Sequence, residues 1–411
     1  MMEQLTINEQ KKQFSFDWSM FCMILIMFVG YILIHDLLGG TLFSHCQWDS
    51  YTRQAMAWRE GRMDLGENIS WLELAIFNGK YYVSFPPLPS VLMLPLTFIF
   101  GYNTPNNFVN ACYCIISAVF AYKCLRHTGV KDVTSAFIAM FVVWGANTFW
   151  MSTSGGVWFQ AQQLNMLFCL ASIFCVLKNK RVLAYLLLAL AVGCRPLSLL
   201  YFPVLFIVFF IQDYSENKEL GIFKNICKQL PCLIAPILIG ASYMLYNYAR
   251  FGNPLEFGHN YLPEFTESQN GQFSFSYLGQ NLYNLFIRPI EITGDFRLKF
   301  PWFNGFWFYI ANPIFLLMAV YIIRDIIKKR FKTTQLIIVL MMALNIILLC
   351  MHKTLGGWQF GARYTCDLIP FAFFYIIMQR KWKLERYERV IMVLGIMFNV
   401  YGALAINFIQ Q

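Results

Sequence analysis

Residues 45–89 read HCQWDSYTRQAMAWREGRMDLGENISWLELAIFNGKYYVSFPPLP and form the first polar interruption after a long apolar run at about 18–38. This one loop holds Asp49, Arg53, Glu60, Asp64, Glu67, Glu73 and Lys80, in a chain of which only 13% is charged. Outside it, apolar runs of about 18–20 residues recur, the length a helix needs to cross roughly 30 Å of hydrocarbon. The 411 residues are 58% hydrophobic and 18% aromatic, whereas soluble domains are about 45–50% apolar and about 25% charged. The fold class that follows is an all-α polytopic membrane protein whose first outer loop is too charged to be a plain linker.

Eleven transmembrane helices are expected, at about 18–38, 106–125, 133–150, 158–177, 182–194, 198–211, 230–248, 306–323, 334–351, 364–379 and 390–408. The 13-residue stretch Leu88–Phe100, with Pro89 and Pro95, is short for a span and reads as interfacial or re-entrant. The charges test this count. Lys11 and Lys12, Lys123/Arg126/Lys131, Lys178/Lys180/Arg181, Lys218/Lys224/Lys228, Arg324/Lys328/Lys329/Arg330/Lys332 and Arg380/Lys381/Lys383/Arg386/Arg389 all fall on one side. They make up 21 of the 32 Lys and Arg. By the positive-inside rule the N-terminus is cytoplasmic, the C-terminus is outside, and the first span is an uncleaved anchor. The net charge of +10 is thus spread over helix ends instead of forming a nucleic-acid patch. The twelve Cys include no CxxC and lie mostly in apolar runs, so they read as small apolar residues.

The chain reads as a single transmembrane domain, 1–411. It includes an outer catalytic loop with juxtamembrane helices at 39–105 and an aromatic, Gly- and Pro-containing outer loop or lid at 249–305. A Gly-rich turn, HKTLGGWQFGARYTCD (352–367), is also outer. A carboxylate that takes a proton from a hydroxyl, near cations that hold an anionic leaving group, is the minimal kit for group transfer from a lipid phosphate. Asp49 is the first choice for the base, although Asp at the start of a helical segment also serves as an N-cap. Glu73 is second, with a merely solvated side chain as its bland reading. Lys80 and Tyr82 offer a point charge and a phenol donor, or simply anchor the membrane interface. Arg195, between two short apolar runs, is a binding candidate by its costly location or a snorkelling side chain. Arg363 on the Gly-rich turn reaches a phosphate or pairs with Asp367 four residues on. Arg53, Arg250, His259 and Tyr364 complete the candidate binding set. No second His sits at ligand spacing, so no metal is indicated.

The order of one N-terminal span, an outer loop with WDSYTRQAMAWREGRM and NGKYYVSFPPLPSVLMLPL, and a helical membrane body resembles the GT-C membrane glycosyltransferases. The likeness is to bacterial members of the protein-mannosyltransferase and aminoarabinose-transferase type, and YNYARFGNPLEFGHNY and GGWQFGARYTCDLIPF look like segments of that group. The resemblance implies a sugar transferase of the bacterial inner membrane with its active site on the outer face. Its donor would be a polyprenyl-phosphate-linked sugar and its acceptor an envelope glycan, lipid or protein; no cofactor is expected, a divalent metal being possible but not indicated by the residues. Asp49 becomes the base of an inverting reaction, and Lys80, Tyr82 and Arg363 lie near the lipid phosphate. Where relatives have Asp-Glu, this chain has Asp49-Ser50, and where aminoarabinose transferases have Glu-Lys before Pro, it has Ser84-Phe85. The rivals are a lipid-sugar flippase or transporter, which needs ionisable residues near the midplane, and a non-catalytic envelope assembly protein.

Overall fold

The structure is a computed structural model that describes residues 16–378 and 384–408. Lys11, Lys12, Arg380, Lys381 and Lys383 of the charge count lie outside the described residues. Helix α1 (Trp18–Leu37) begins where the Asp17 side chain accepts from the Met20 amide. The outer loop follows as α2 (Ser50–Arg59), strands β1 (Leu74–Phe77) and β2 (Lys80–Val83), and α3 (Leu88–Phe100). Then come α4 (Asn106–His127), α5 (Asp132–Trp144), the short α6 (Thr148–Met151), α7 (Val157–Leu177), α8 (Arg181–Val192), α9 (Phe202–Glu216), α10 (Gly221–Cys227) and α11 (Ile234–Phe251). The remainder is α12 (Pro263–Thr266), α13 (Leu278–Phe286), the hairpin β3 (Glu291–Ile292) and β4 (Leu298–Lys299), α14 (Phe308–Ala311), α15 (Ile314–Ile327), α16 (Thr333–Met351), α17 (Ile369–Ile377) and α18 (Arg386–Phe408).

Among the described residues seven helical stretches are long and apolar enough to cross a membrane: Trp18–Leu37, Asn106–His127, Val157–Leu177, Pro196–Glu216, Lys218–Phe251, Thr333–Met351 and Arg386–Phe408. The chain is a multi-pass helical membrane protein. The other four expected spans correspond to shorter helices. The 133–150 run breaks at Gly145 into α5 and α6, α8 has 12 residues, 306–323 is helical as α15 only from Ile314, and 364–379 opens as a 3-10 turn before α17. Leu88–Phe100 is a helix of 13 residues, with Pro95 inside, that packs on α2.

Helix α7 is the centre of the body and packs against α4 and α8. It buries Gln160, Gln162, Gln163 and Asn165. A buried amide is tolerable only when hydrogen-bonded. Gln160 Nε2 donates to Gly155 O at 2.6 Å, Gln163 to Thr148 O, and Gln162 Nε2 to Arg363 O at 2.8 Å. These bonds tie α7 to the turns at its N-terminal end and to the segment carrying Arg363.

The β1–β2 hairpin pairs Leu74 with Val83 and Phe77 with Lys80. Its turn residues Asn78 and Gly79 have φ of 50° and 72°, as a type I′ turn requires, and Asn-Gly is its strongest sequence signal. An all-helical reading of the loop overlooks that signal. The hairpin matters because Glu73 stands at its base, beside Ser84, whose hydroxyl lies 3.4 Å from Glu73 O.

Candidate active site

The loops assigned to the outer side converge on one cavity of about 670 Å³, within the roughly 300–1,000 Å³ typical of ligand pockets. Trp48 and Glu73 come from the first outer loop, Ser154 and Trp158 from the start of α7, and Arg195 from the break after α8. His259, Glu264 and Phe265 come from the 249–305 loop, and His352, Arg363 and Tyr364 from the Gly-rich turn. The charge pattern of the sequence grouped these segments on one face, and the fold brings them together.

Asp49 does not line this cavity. It is fully buried and is the N-cap of α2. Oδ1 accepts from the amides of Tyr51 (2.9 Å) and Thr52 (3.3 Å), and Oδ2 accepts from Thr52 Oγ1 and from Asn106 Nδ2 at 2.7 Å. A carboxylate offers about four lone-pair sites, and here donors occupy all four. Its neighbour Trp48 is the residue that reaches the cavity wall.

Glu73 is the first-loop carboxylate on the wall. Oε2 accepts from Trp158 Nε1 at 2.9 Å, and no other donor among the described residues reaches the carboxylate. The surrounding protein holds its carboxyl above the ordinary value by desolvation, partly offset by the Trp158 bond and the field of Arg363, with Glu264 adding to the rise.

The cationic wall is built from Arg363, Arg195 and Tyr364. Arg363 is 5% exposed. Its Nε and Nη2 donate to Gly356 O at 2.9 and 2.7 Å, and Nη1 donates to Gln162 Oε1 at 3.2 Å. Asp367 does not pair with Arg363. It takes Arg195 Nε at 2.8 Å instead, because the 3-10 geometry of 363–368 replaces the α-turn that an i, i+4 pair needs. The Arg195 and Arg363 guanidiniums lie 4.8 and 4.9 Å from the Tyr364 ring centroid. Among the described residues Arg363 has no carboxylate partner, so this wall keeps a net positive charge where an anion would be held.

Three buried asparagines fix this wall. Asn147 Oδ1 accepts from Asn312 Nδ2 (3.0 Å) and from the Ala362 amide (2.9 Å), while Asn147 Nδ2 donates to Asn399 Oδ1 (3.1 Å). Asn312 Nδ2 also donates to Thr365 Oγ1 at 3.0 Å. The segment bearing Arg363 and Tyr364 is therefore anchored on both sides of Arg363. Gly361 has φ +75°, and any Cβ there would press into the Asn147 amide. Nothing in the sequence singles these residues out, because isolated Asn in apolar runs carries no spacing signal.

The other expected site residues lie elsewhere. Lys80 is exposed and 3.5 Å from Asp64, since it lies at the turn end of the hairpin, away from its base. Tyr82 is buried against Ala75 and Phe251. Arg53 lies on α2 off the cavity lining, with its Nε buried. Arg250 is buried between the Tyr246 and Phe251 rings and donates to Val83 O at 2.6 Å, holding the hairpin to α11. His259 lines the cavity, edge-on to Phe85, and its pKa is pulled down to about 3 by burial and by nearby His352 and Arg195. His352 Nδ1 lies 2.7 Å from Thr354 O and Nε2 lies 3.1 Å from Gln272 Nε2, and burial pulls its pKa down to about 4. Both rings are neutral at pH 7. Among the described residues no group of three His, Cys, Asp or Glu is arranged to hold a metal ion.

No protein-family model matches the chain, and neither does any curated protein sequence. Solved structures do. ArnT from Cupriavidus metallidurans bound to undecaprenyl phosphate is similar with a TM-score of 0.54 at 11% identity, over 91% of this chain and 63% of that one. The oligosaccharyltransferase AglB from Archaeoglobus fulgidus, in complex with an inhibitory peptide and a dolichol-phosphate, gives 0.50 at 10%, over 96% and 56%. An Archaeoglobus fulgidus oligosaccharyltransferase tethered with an acceptor peptide gives 0.52 at 12%, over 94% and 55%. The chain thus spans less than two thirds of the length of these structures. It shares their GT-C-like fold.

Proposed function

We propose that this chain is a membrane glycosyltransferase that moves a sugar from a polyprenyl-phosphate donor to a cell-envelope acceptor, in the cavity between Glu73 and Arg363. The observation that carries the reading is the pairing of the Glu73 carboxylate, held by a single hydrogen bond, with the buried Arg363 guanidinium, which has no carboxylate partner among the described residues, on the walls of one cavity in a GT-C-like fold. The site faces the outer side of the bacterial inner membrane, as the Lys and Arg distribution supports. ArnT is solved bound to undecaprenyl phosphate and AglB in complex with a dolichol-phosphate, which supports a lipid phosphate as the donor's carrier.

In the reaction, Arg363 and Arg195 hold the donor phosphate by charge-assisted bonds, and the lipid tail stays in the bilayer. Glu73 accepts the proton of the acceptor hydroxyl. The acceptor oxygen forms a bond to the anomeric carbon from the side opposite the phosphate. The bond from that carbon to the phosphate oxygen breaks, its electron pair leaves with polyprenyl phosphate, and the configuration inverts. The two guanidiniums stabilise the charge that develops on the leaving group.

Asp49, expected as the base, is read here as the residue that joins α2 to α4, because its lone pairs are committed to Tyr51, Thr52 and Asn106. A base needs a lone pair within hydrogen-bond reach of the proton it takes, and Glu73 has one. Lys80, Tyr82, Arg53 and Arg250 become supporting residues of the loop, not ligands of the phosphate. The test is sugar transfer from radiolabelled polyprenyl-phosphate sugars by wild type, Glu73→Gln and Arg363→Gln. Transfer that survives Glu73→Gln at the wild-type rate would remove Glu73 from the reaction.

A further inference from the structure

Resting on that reading, we infer that the acceptor is an uncharged sugar ring, seated on the indole faces of Trp48 and Trp158 beside Glu73. In an inverting displacement the acceptor lies opposite the leaving phosphate. That puts it beside Glu73, which takes its proton.

What lines that side is aromatic and acidic. The Trp48 and Trp158 ring centroids lie 6.2 Å apart and tilted by 37°, and both residues line the cavity. Trp158 is oriented by the same bond that engages Glu73 Oε2, so the platform and the base are built as one unit. Trp48 is 39% exposed, although it directly precedes the buried Asp49. A large amphipathic ring left open at a cavity wall fits a partner with an apolar face and polar edges, which describes a pyranose or furanose ring.

The charge on this side then restricts the class. Glu264 lines the same cavity, forms no ion pair among the described residues, and comes from the loop whose Glu264 carbonyl takes Lys353 Nζ at 2.6 Å. An acceptor bearing a phosphate or carboxylate would sit against Glu73 and Glu264, and like-charge juxtaposition rejects such partners. The cations that line the cavity itself, Arg195 and Arg363, are engaged by the donor phosphate, and Lys353 is held on the Glu264 carbonyl.

The test uses the full-length protein in detergent, a panel of radiolabelled polyprenyl-phosphate sugars, and three soluble acceptors: neutral methyl glycosides, the same glycosides carrying a phosphate, and a Ser- and Asn-containing peptide. The neutral glycosides should take label with at least about tenfold higher kcat/KM than the phosphorylated ones. Trp48→Ala should raise the glycoside KM about tenfold, the scale of one aromatic contact, and Trp48→Phe should recover most of it. Label carried mainly by the phosphorylated glycoside or the peptide overturns the inference while the transferase reading stands, as does a glycoside KM unmoved by Trp48→Ala. No release of polyprenyl phosphate from any donor, with or without acceptor, removes the transferase reading and this inference with it.

Discussion

Replacing Asp49 by Asn separates two roles that one carboxylate at the start of an outer-loop helix can fill. The amide oxygen of Asn can still accept from the Tyr51 and Thr52 amides, so the α2 cap survives. The new Nδ2 group would face Asn106 Nδ2, which donates to Asp49 at 2.7 Å. Asn106 cannot simply turn over, because its Oδ1 takes the Cys46 amide at 2.7 Å. Two donors would then meet in a fully buried place, at a cost of about 1–3 kcal/mol for the unsatisfied group. The folded enzyme, however, keeps its base. We expect Asp49→Asn to lower the thermal unfolding midpoint in detergent, followed by tryptophan fluorescence, while kcat per folded molecule stays near wild type. Glu73→Gln should do the reverse. Gln can still accept from Trp158, so stability holds, while loss of the base lowers kcat by about 10²–10⁴. An Asp49→Asn protein with wild-type stability and a kcat as low as that of Glu73→Gln would refute the reasoning.

Four more outcomes follow. The acid limb of kcat/KM should lie above the ordinary Glu value of about 4.3, since desolvation raises Glu73, with the rate falling as pH drops through that raised value. Stability should be fully present above pH 6.5 and fall as pH drops from 6.5 towards 4. His259 and His352 stay neutral to about 3 and 4 in the folded protein and charge near 6.5 once unfolded, and thermal midpoints across that window, flattened by His259→Asn with His352→Asn, check the sign. Gly361→Ala should cost about 1–3 kcal/mol of backbone strain at φ +75° and raise the donor KM, because it displaces Asn147 from Ala362. Arg195→Ala leaves Asp367, 3% exposed, without its cation and should destabilise by about 3–5 kcal/mol, with part of the loss recovered on adding Asp367→Asn.

The sequence made the membrane class and the grouping of these loops on one face legible, because these depend on composition and on charges at helix ends. The candidate site was legible in part. Glu73, Arg195, His259, Arg363 and Tyr364 meet at the cavity, all drawn from loops that the charge asymmetry puts on one face. Which carboxylate is free was not readable, since it depends on Asn106, 57 residues away from Asp49. The Asn147–Asn312–Asn399 network was hidden for the same reason: each Asn is unremarkable until folding brings three separate elements together. Span limits were least secure where Gly145 and the 3-10 turn at 363–368 interrupt apolar runs that composition alone reads as continuous.

The most direct test of the account is sugar transfer in membranes carrying wild type or Glu73→Gln, with a panel of radiolabelled polyprenyl-phosphate sugars and release of polyprenyl phosphate as the readout. The account predicts that wild type releases polyprenyl phosphate from at least one donor, with the sugar retained on an envelope acceptor, and that Glu73→Gln does so at least about 100-fold more slowly. Equal release by the two proteins, or none by wild type from any donor, would contradict it.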